Sequence, residues 1–169
     1  EEGAEIIPGL AKELPKVTNG GKTYTMFLRQ GLKYSNGEPI KAGDFKYAVE
    51  RCFLTNSGGS PFYTDIVGAE EFAKTKKGGI SGIKVDEKTG EIVIDLIKPR
   101  GTFPNELALM FVAPVPQKTP DEDQSANPIP ASGPYMLTSS EPGRGWTYER
   151  NPYWAKDNGK EIELPAGHI

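Results

Sequence analysis

The 20 glycines and 15 prolines spread along the 169 residues limit how long any helix or strand in this chain can run. Glycine takes up positive φ freely and proline removes a backbone donor, so both punctuate regular structure. The chain therefore folds from short elements joined by turns. Its length suits one domain with a sizeable core, or two small subdomains at most. With 36% hydrophobic and 25% charged residues it has the composition of a globular protein with a polar surface. No run of about 18 apolar residues is present to span a membrane. The formal net charge is −3 and the 20 Lys and Arg are dispersed, which argues against nucleic acid or an anionic membrane as partner.

Within those limits the hydrophobic period assigns the elements. Lys22 to Arg29 alternates, with Tyr24, Met26 and Leu28 on one face, and reads as a strand. Asn19-Gly20-Gly21 is a tight turn that makes Lys16 to Thr18 its hairpin partner, and Pro15 confines that partner to a sheet edge or strand end. Gly43 to Phe53 places Phe45, Ala48, Val49, Cys52 and Phe53 on one helical stripe, with Asp44 in the first turn where a carboxylate complements the helix dipole. Asn56 to Pro61 reads as a loop and Ala69 to Lys74 as a short helix. Gly82 to Asp86 and Glu91 to Ile97 form a hairpin whose turn uses Gly90. Thr102 is placed to cap a short helix carrying Phe103, Leu107, Met110 and Phe111 on one stripe. Pro114 to Pro130 reads as an ordered surface loop, and Gly133 to Ser139 and Trp146 to Arg150 as two further strands.

Few residues offer chemistry. The single Cys and single His exclude an intramolecular disulfide and a His/Cys metal cluster. Cys52 lies on the buried helix stripe and reads as core, and His168 has no partner His or Cys. Asp121-Glu122-Asp123 lacks the alternating ligands and central glycine of a calcium loop and reads as a solvated charge run. The nucleophile elbow, the phosphate-binding loop and the dinucleotide fingerprint are all absent from the sequence. Neither catalysis nor a cofactor is expected. Aromatic residues are the remaining lead: Phe62-Tyr63 after a Gly/Ser loop, and Trp146, Tyr148, Tyr153 and Trp154 farther on.

The run TYTMFLRQGLKYSNGEPIKAGDFKYAVER, Thr23 to Arg51, resembles the signature of family 5 bacterial extracellular solute-binding proteins. The matching positions are Leu28-Arg29, Gly31, Asn36-Gly37, Pro39 and Ala42-Gly43-Asp44. Pro8-Gly9-Leu10-Ala11, Ser132-Gly133-Pro134-Tyr135 and Glu149-Arg150-Asn151-Pro152-Tyr153-Trp154 resemble other family segments and fall in family order. Lys41 departs from the pattern, standing where a capping Thr or Ser is common, and Leu14, Pro15 and Ala131 depart as well. The motif residues read as structural. Arg29 and Arg150 are expected to pair with carboxylates or carbonyls, and Gly31, Gly37 and Gly133 to mark turns of unusual φ.

The resemblance implies an α+β fold, a largely antiparallel sheet with a few packed helices, forming part of lobe I of a periplasmic-binding-protein-like type II fold. Residues 1–169 are then a single fragment of the first lobe, without the second lobe or the N-terminal strand. It also implies the substrate-binding component of an ABC importer, capturing a peptide or similar small solute outside the membrane for delivery to ABC permease subunits. The expected location is extracellular or periplasmic, with a lipidated N-terminal anchor outside this chain, and the expected state is monomeric. By analogy with oligopeptide-binding relatives, Ser60, Pro61, Phe62 and Tyr63 are expected to face the ligand. A secreted hydrolase using an unrecognised carboxylate pair and a protein-interaction module are the competing readings.

Overall fold

The computed structural model describes residues 5–154, 156–157 and 160–161. Its main sheet has four antiparallel strands, β1 (Lys16–Thr18), β2 (Thr23–Phe27), β3 (Ile83–Asp86) and β4 (Glu91–Asp95), in the order β1-β2-β4-β3. The hairpin at Asn19-Gly20-Gly21 pairs Lys16 with Thr25 and leaves β1 at the edge, where the preceding Pro15 costs no ladder bond. Gly90, at φ 75°, closes the β3–β4 hairpin, and a Cβ there would lie 3.1 Å from the Leu28 carbonyl oxygen.

One face of this sheet carries the core. Tyr24 and Met26 of β2, Ile92 and Ile94 of β4 and Ile83 of β3 are buried under helix α1 (Ala42–Leu54). The helix contributes Phe45, Val49, Cys52 and Phe53, the residues its 3.6-residue period aligns. Helix α2 (Ala69–Thr75) adds Phe72, which meets Phe53 edge to face at 6.4 Å. Helix α3 (Phe103–Leu107) adds Phe103 against Tyr24 at 5.0 Å. A second, smaller cluster of Leu28, Leu32, Tyr34 and Ile40 lies beyond the end of β2.

A separate antiparallel hairpin follows, β5 (Tyr135–Glu141) with β6 (Gly145–Arg150), irregular between Leu137 and Ser139. Two short strands, β7 (Lys156–Asp157) and β8 (Lys160–Glu161), pair after it. Residues 114–130 connect the two parts in turns and bends. The fold is the α+β, largely antiparallel arrangement the resemblance implied.

Several local expectations are corrected. Thr102 has helical dihedrals (φ −83°, ψ −8°) and its hydroxyl donates to Glu106 Oε1 at 3.1 Å instead of capping α3. An N-cap must sit in the extended region to turn its side chain onto the first free amides. Leu109 is extended (φ −73°, ψ 145°), which breaks the helical stripe, so Met110 is 84% exposed instead of packing with Phe103. Gly31 and Gly37 have φ of 78° and 84° as turns require, but Gly133 is not among the positive-φ glycines. Arg29 Nε donates to the Gly9 carbonyl at 2.9 Å, whereas Arg150 lies on the exposed side of β6 opposite Tyr135. His168 lies outside the described residues.

Candidate functional site

The segment after α1 is set by three local features. Ser57 N donates to the Cys52 carbonyl at 2.8 Å, and Ser60 N to the Ser57 carbonyl at 3.0 Å, which curls the chain back on itself. Pro61, with φ already fixed, sits in the first turn of a short 3-10 helix over Ser60–Tyr63. That helix replaces the end of the expected loop and divides the aromatic pair between two environments.

Tyr63 points inward and is 0% exposed, with its hydroxyl donating to the Glu106 carbonyl at 2.9 Å. Burial, with Cys52 and Glu106 nearby, pushes its phenol well above the usual value. The ring is thus a core residue, turned away from the surface that Phe62 presents. Phe62 points outward, 37% exposed, and stacks on Phe111 at 6.1 Å with the ring planes 21° apart. Phe111 in turn covers Gly59, where an added Cβ would stand 2.3 Å from Phe111 Cγ. Ser60, Pro61 and Phe62 therefore form one part of an exposed shelf completed by Phe111, itself 38% exposed. In sequence Phe111 belongs to a helical stripe, and no local period shows that it meets Phe62.

Through Phe111 the shelf adjoins a cleft of about 670 Å³ between the end of α1 and the β5–β6 hairpin, whose lining does not include Ser60, Pro61, Phe62 or Tyr63. Cys52, Met110 and Phe111 line one side; Ile129, Pro130, Tyr135, Leu137, Trp146 and Tyr148 line the other. Trp146 and Tyr148 are 65% and 62% exposed, so the hairpin turns rigid aromatic surface toward open space. Large aromatic rings give contact area at little entropic cost, the property that recurs in ligand clefts. Arg51 is the one charged residue among the described residues of this lining, and its guanidinium donates to the Pro120 carbonyl from Nε at 3.1 Å and to the Glu122 carbonyl from Nη2 at 2.6 Å. The charge is thereby directed at the 114–130 segment.

The polar groups around the site serve the frame. The Cys52 thiol donates to the Phe111 carbonyl at 3.1 Å, and burial pushes its pKa up to about 11, so it is neutral and a poor nucleophile. Asp44 is buried and accepts from Tyr34 Oη at 2.9 Å, Lys41 N at 3.0 Å and Gln117 Nε2 at 3.0 Å. Asp121 Oδ1 accepts from Tyr47 Oη at 2.7 Å. Glu106 Oε1 lies 2.9 Å from Arg100 Nε, and Arg100 also reaches Asp65 at 3.1 Å. Among the described residues, no group of three or more His, Cys, Asp or Glu is placed to hold a metal ion. No helix among them is long and apolar enough to cross a membrane.

Fold and cleft together define a class: an α+β unit that presents an open aromatic cleft. Residues 5–165 match the profile of bacterial extracellular solute-binding proteins, family 5 Middle, and the chain belongs to that family. It is 31% identical over 163 residues to the oligopeptide-binding protein OppA of Bacillus subtilis, with 90% of this chain and 29% of that protein covered. Similarity to the dipeptide-binding protein DppE of the same organism is 30% over 166 residues, covering 92% of this chain and 30% of DppE. Among solved structures, Listeria monocytogenes OppA bound to peptide superposes with a TM-score of 0.71 at 29% identity, covering 90% of this chain and 32% of that one. The chain thus spans less than a third of the length of these relatives.

Proposed function

We propose that this chain forms one wall of a solute-binding cleft in a protein that captures a peptide or similar small solute outside the membrane and passes it to ABC permease subunits. The observation that carries the reading is the Phe62–Phe111 shelf at the rim of an apolar, aromatic cleft, in a chain of a solute-binding family. The relatives named above are binding proteins for oligopeptides and dipeptides, and one is seen with peptide bound. In this reading the chain is a single fragment of the first lobe, and the second lobe closes on the ligand from the other side. The protein acts as a monomer without catalysis or cofactor, extracellular or periplasmic, held at the membrane through a lipidated N-terminus outside this chain.

Ser60, Pro61 and Phe62 are the ligand-facing residues, with Tyr63 supporting them from beneath. Truncation separates the two roles. Phe62→Ala in the full-length protein lowers peptide affinity with little change in the denaturation midpoint. Tyr63→Ala costs about 3 to 5 kcal/mol of folding stability, as for a buried aromatic. Calorimetric titration beside urea denaturation reads both quantities. A Phe62→Ala protein with unchanged affinity overturns the assignment.

A further inference from the structure

Two of the sequence motifs, Ser132 to Tyr135 and Glu149 to Trp154, do more than supply Tyr135 to the cleft lining. In space they meet at one point, together with the Ser35-Asn36-Gly37 turn. Asn151 is the node. It is 5% exposed, and Nδ2 donates to the Gly133 carbonyl at 2.9 Å and the Ala131 carbonyl at 3.3 Å. Its Oδ1 accepts from Tyr153 N at 2.9 Å, and its own backbone N donates to the Pro134 carbonyl at 2.9 Å. Both amide hydrogens and the amide oxygen are thereby used.

Ala131 carries the connection onward. Ser35 N donates to the Ala131 carbonyl at 2.9 Å, and Ala131 N donates to Ser35 Oγ at 3.0 Å. Tyr153 closes the other side: a Cβ on Gly37 would lie 3.3 Å from its Cζ, and Lys33 Nζ sits 5.6 Å above its ring. The joint therefore bridges the base of the β5–β6 hairpin and the turn between β2 and α1. A two-stranded hairpin is marginal by itself and takes its orientation from what holds its ends. Tyr135 begins β5 one residue after Pro134, and Tyr148 lies two residues before Arg150, the last of β6, so both aromatic wall residues hang from this joint.

We infer that Asn151 is a positioning residue: by tying 131–134 to 151–153 and, through Ala131, to Ser35, it fixes the aromatic β5–β6 wall across the cleft. The link to solute binding rests on the function proposed above; the mechanical claim stands on the geometry alone. A buried polar network centred on a fully used amide specifies one arrangement, and removing that amide leaves its partners unpaired.

Hydrogen exchange of the 169-residue chain tests the joint, with Asn151→Asp and Ser35→Ala as variants. Asn151→Asp keeps the size and the Oδ1 acceptor but at neutral pH has no donor for the Ala131 and Gly133 carbonyls. It speeds exchange of the Tyr135–Glu141 and Gly145–Arg150 amides by roughly tenfold or more, while the β2 and β4 amides keep their rates. Ser35→Ala, a milder loss, shifts the same amides in the same direction by a smaller factor. Hairpin rates equal to wild type in both variants, or an equal acceleration in β2 and β4, overturn the joint. The second arm titrates trileucine by NMR: a weakened response in Asn151→Asp supports positioning of the cleft wall, and an unchanged response overturns that role. Lack of any trileucine response in the wild-type chain counts against the solute reading, and the exchange arm then decides the joint by itself.

Discussion

At the residue scale, partners far away in sequence decide what each side chain does. Cys52 was placed in the core by its helical position, and the structure adds why it is inert: burial raises its pKa to about 11 and its thiol is spent on the Phe111 carbonyl. At pH 8 a small alkylating reagent is expected to modify Cys52 only through unfolding, so labelling accelerates with urea across the denaturation transition. Rapid stoichiometric labelling of the folded chain would contradict the burial. Phe62 and Tyr63 carry the opposite lesson. Adjacent aromatics after a loop look alike in sequence, and only the 3-10 turn over Ser60–Tyr63, which rotates one ring in and the other out, tells them apart. Phe111 had no local signal at all as the partner of Phe62, because ring stacking between residues 62 and 111 leaves no period to read.

At the scale of elements, periodicity and turn residues locate β1 to β6, α1 and α2, and miss the long-range contacts that end them. Lys41 lacks a side-chain acceptor for the first amides of α1, a defect visible in the sequence. The structure supplies a substitute from the β3–β4 turn: Glu87 accepts from Ala42 N at 3.1 Å and from Gly43 N at 3.0 Å. A side chain on Gly43 would bring its Cβ within 2.5 Å of Glu87 Oε1, so glycine leaves room for the carboxylate. Glu87→Ala is expected to cost about 1 kcal/mol in urea denaturation. Adding Lys41→Thr, which restores a local cap, should recover most of that loss; no recovery would show that Glu87 stabilises by other means. The strands carry a pH-sensitive pair as well. Thr23 Oγ1, opposite Asp95 in the β2–β4 register, donates to Asp95 Oδ1 at 2.8 Å, and Lys84 Nζ lies 3.1 Å from Oδ2. The Thr23 bond first, and Lys84 after it, hold the Asp95 carboxyl below its ordinary value of 3.8. Because the folded-state pKa is the lower one, this contribution is present above the unfolded value and disappears as the pH falls through the folded value. Asp95→Asn should thus lose stability at pH 7 and show a smaller loss near pH 3, measured as urea midpoints. An equal loss at both values would rule out the carboxylate as the source.

For the whole molecule, the fold class was legible because alternation, turn residues and family motifs agree along most of the chain. The cleft was less so: it lies between the sheet unit and the β5–β6 hairpin, and its walls come from residues 48 to 148, which only tertiary structure brings together. On the proposed reading a second lobe completes the site, so the chain alone, with an open cleft, should bind weakly. The most direct measurement is an NMR titration of the 169-residue chain with trileucine, following the aromatic resonances. The expected result is a dissociation constant weaker than about 1 µM, with the largest shifts at Phe62 and Phe111. Shifts confined to residues away from the shelf, or no shifts at millimolar peptide, would contradict the placement of the solute cleft.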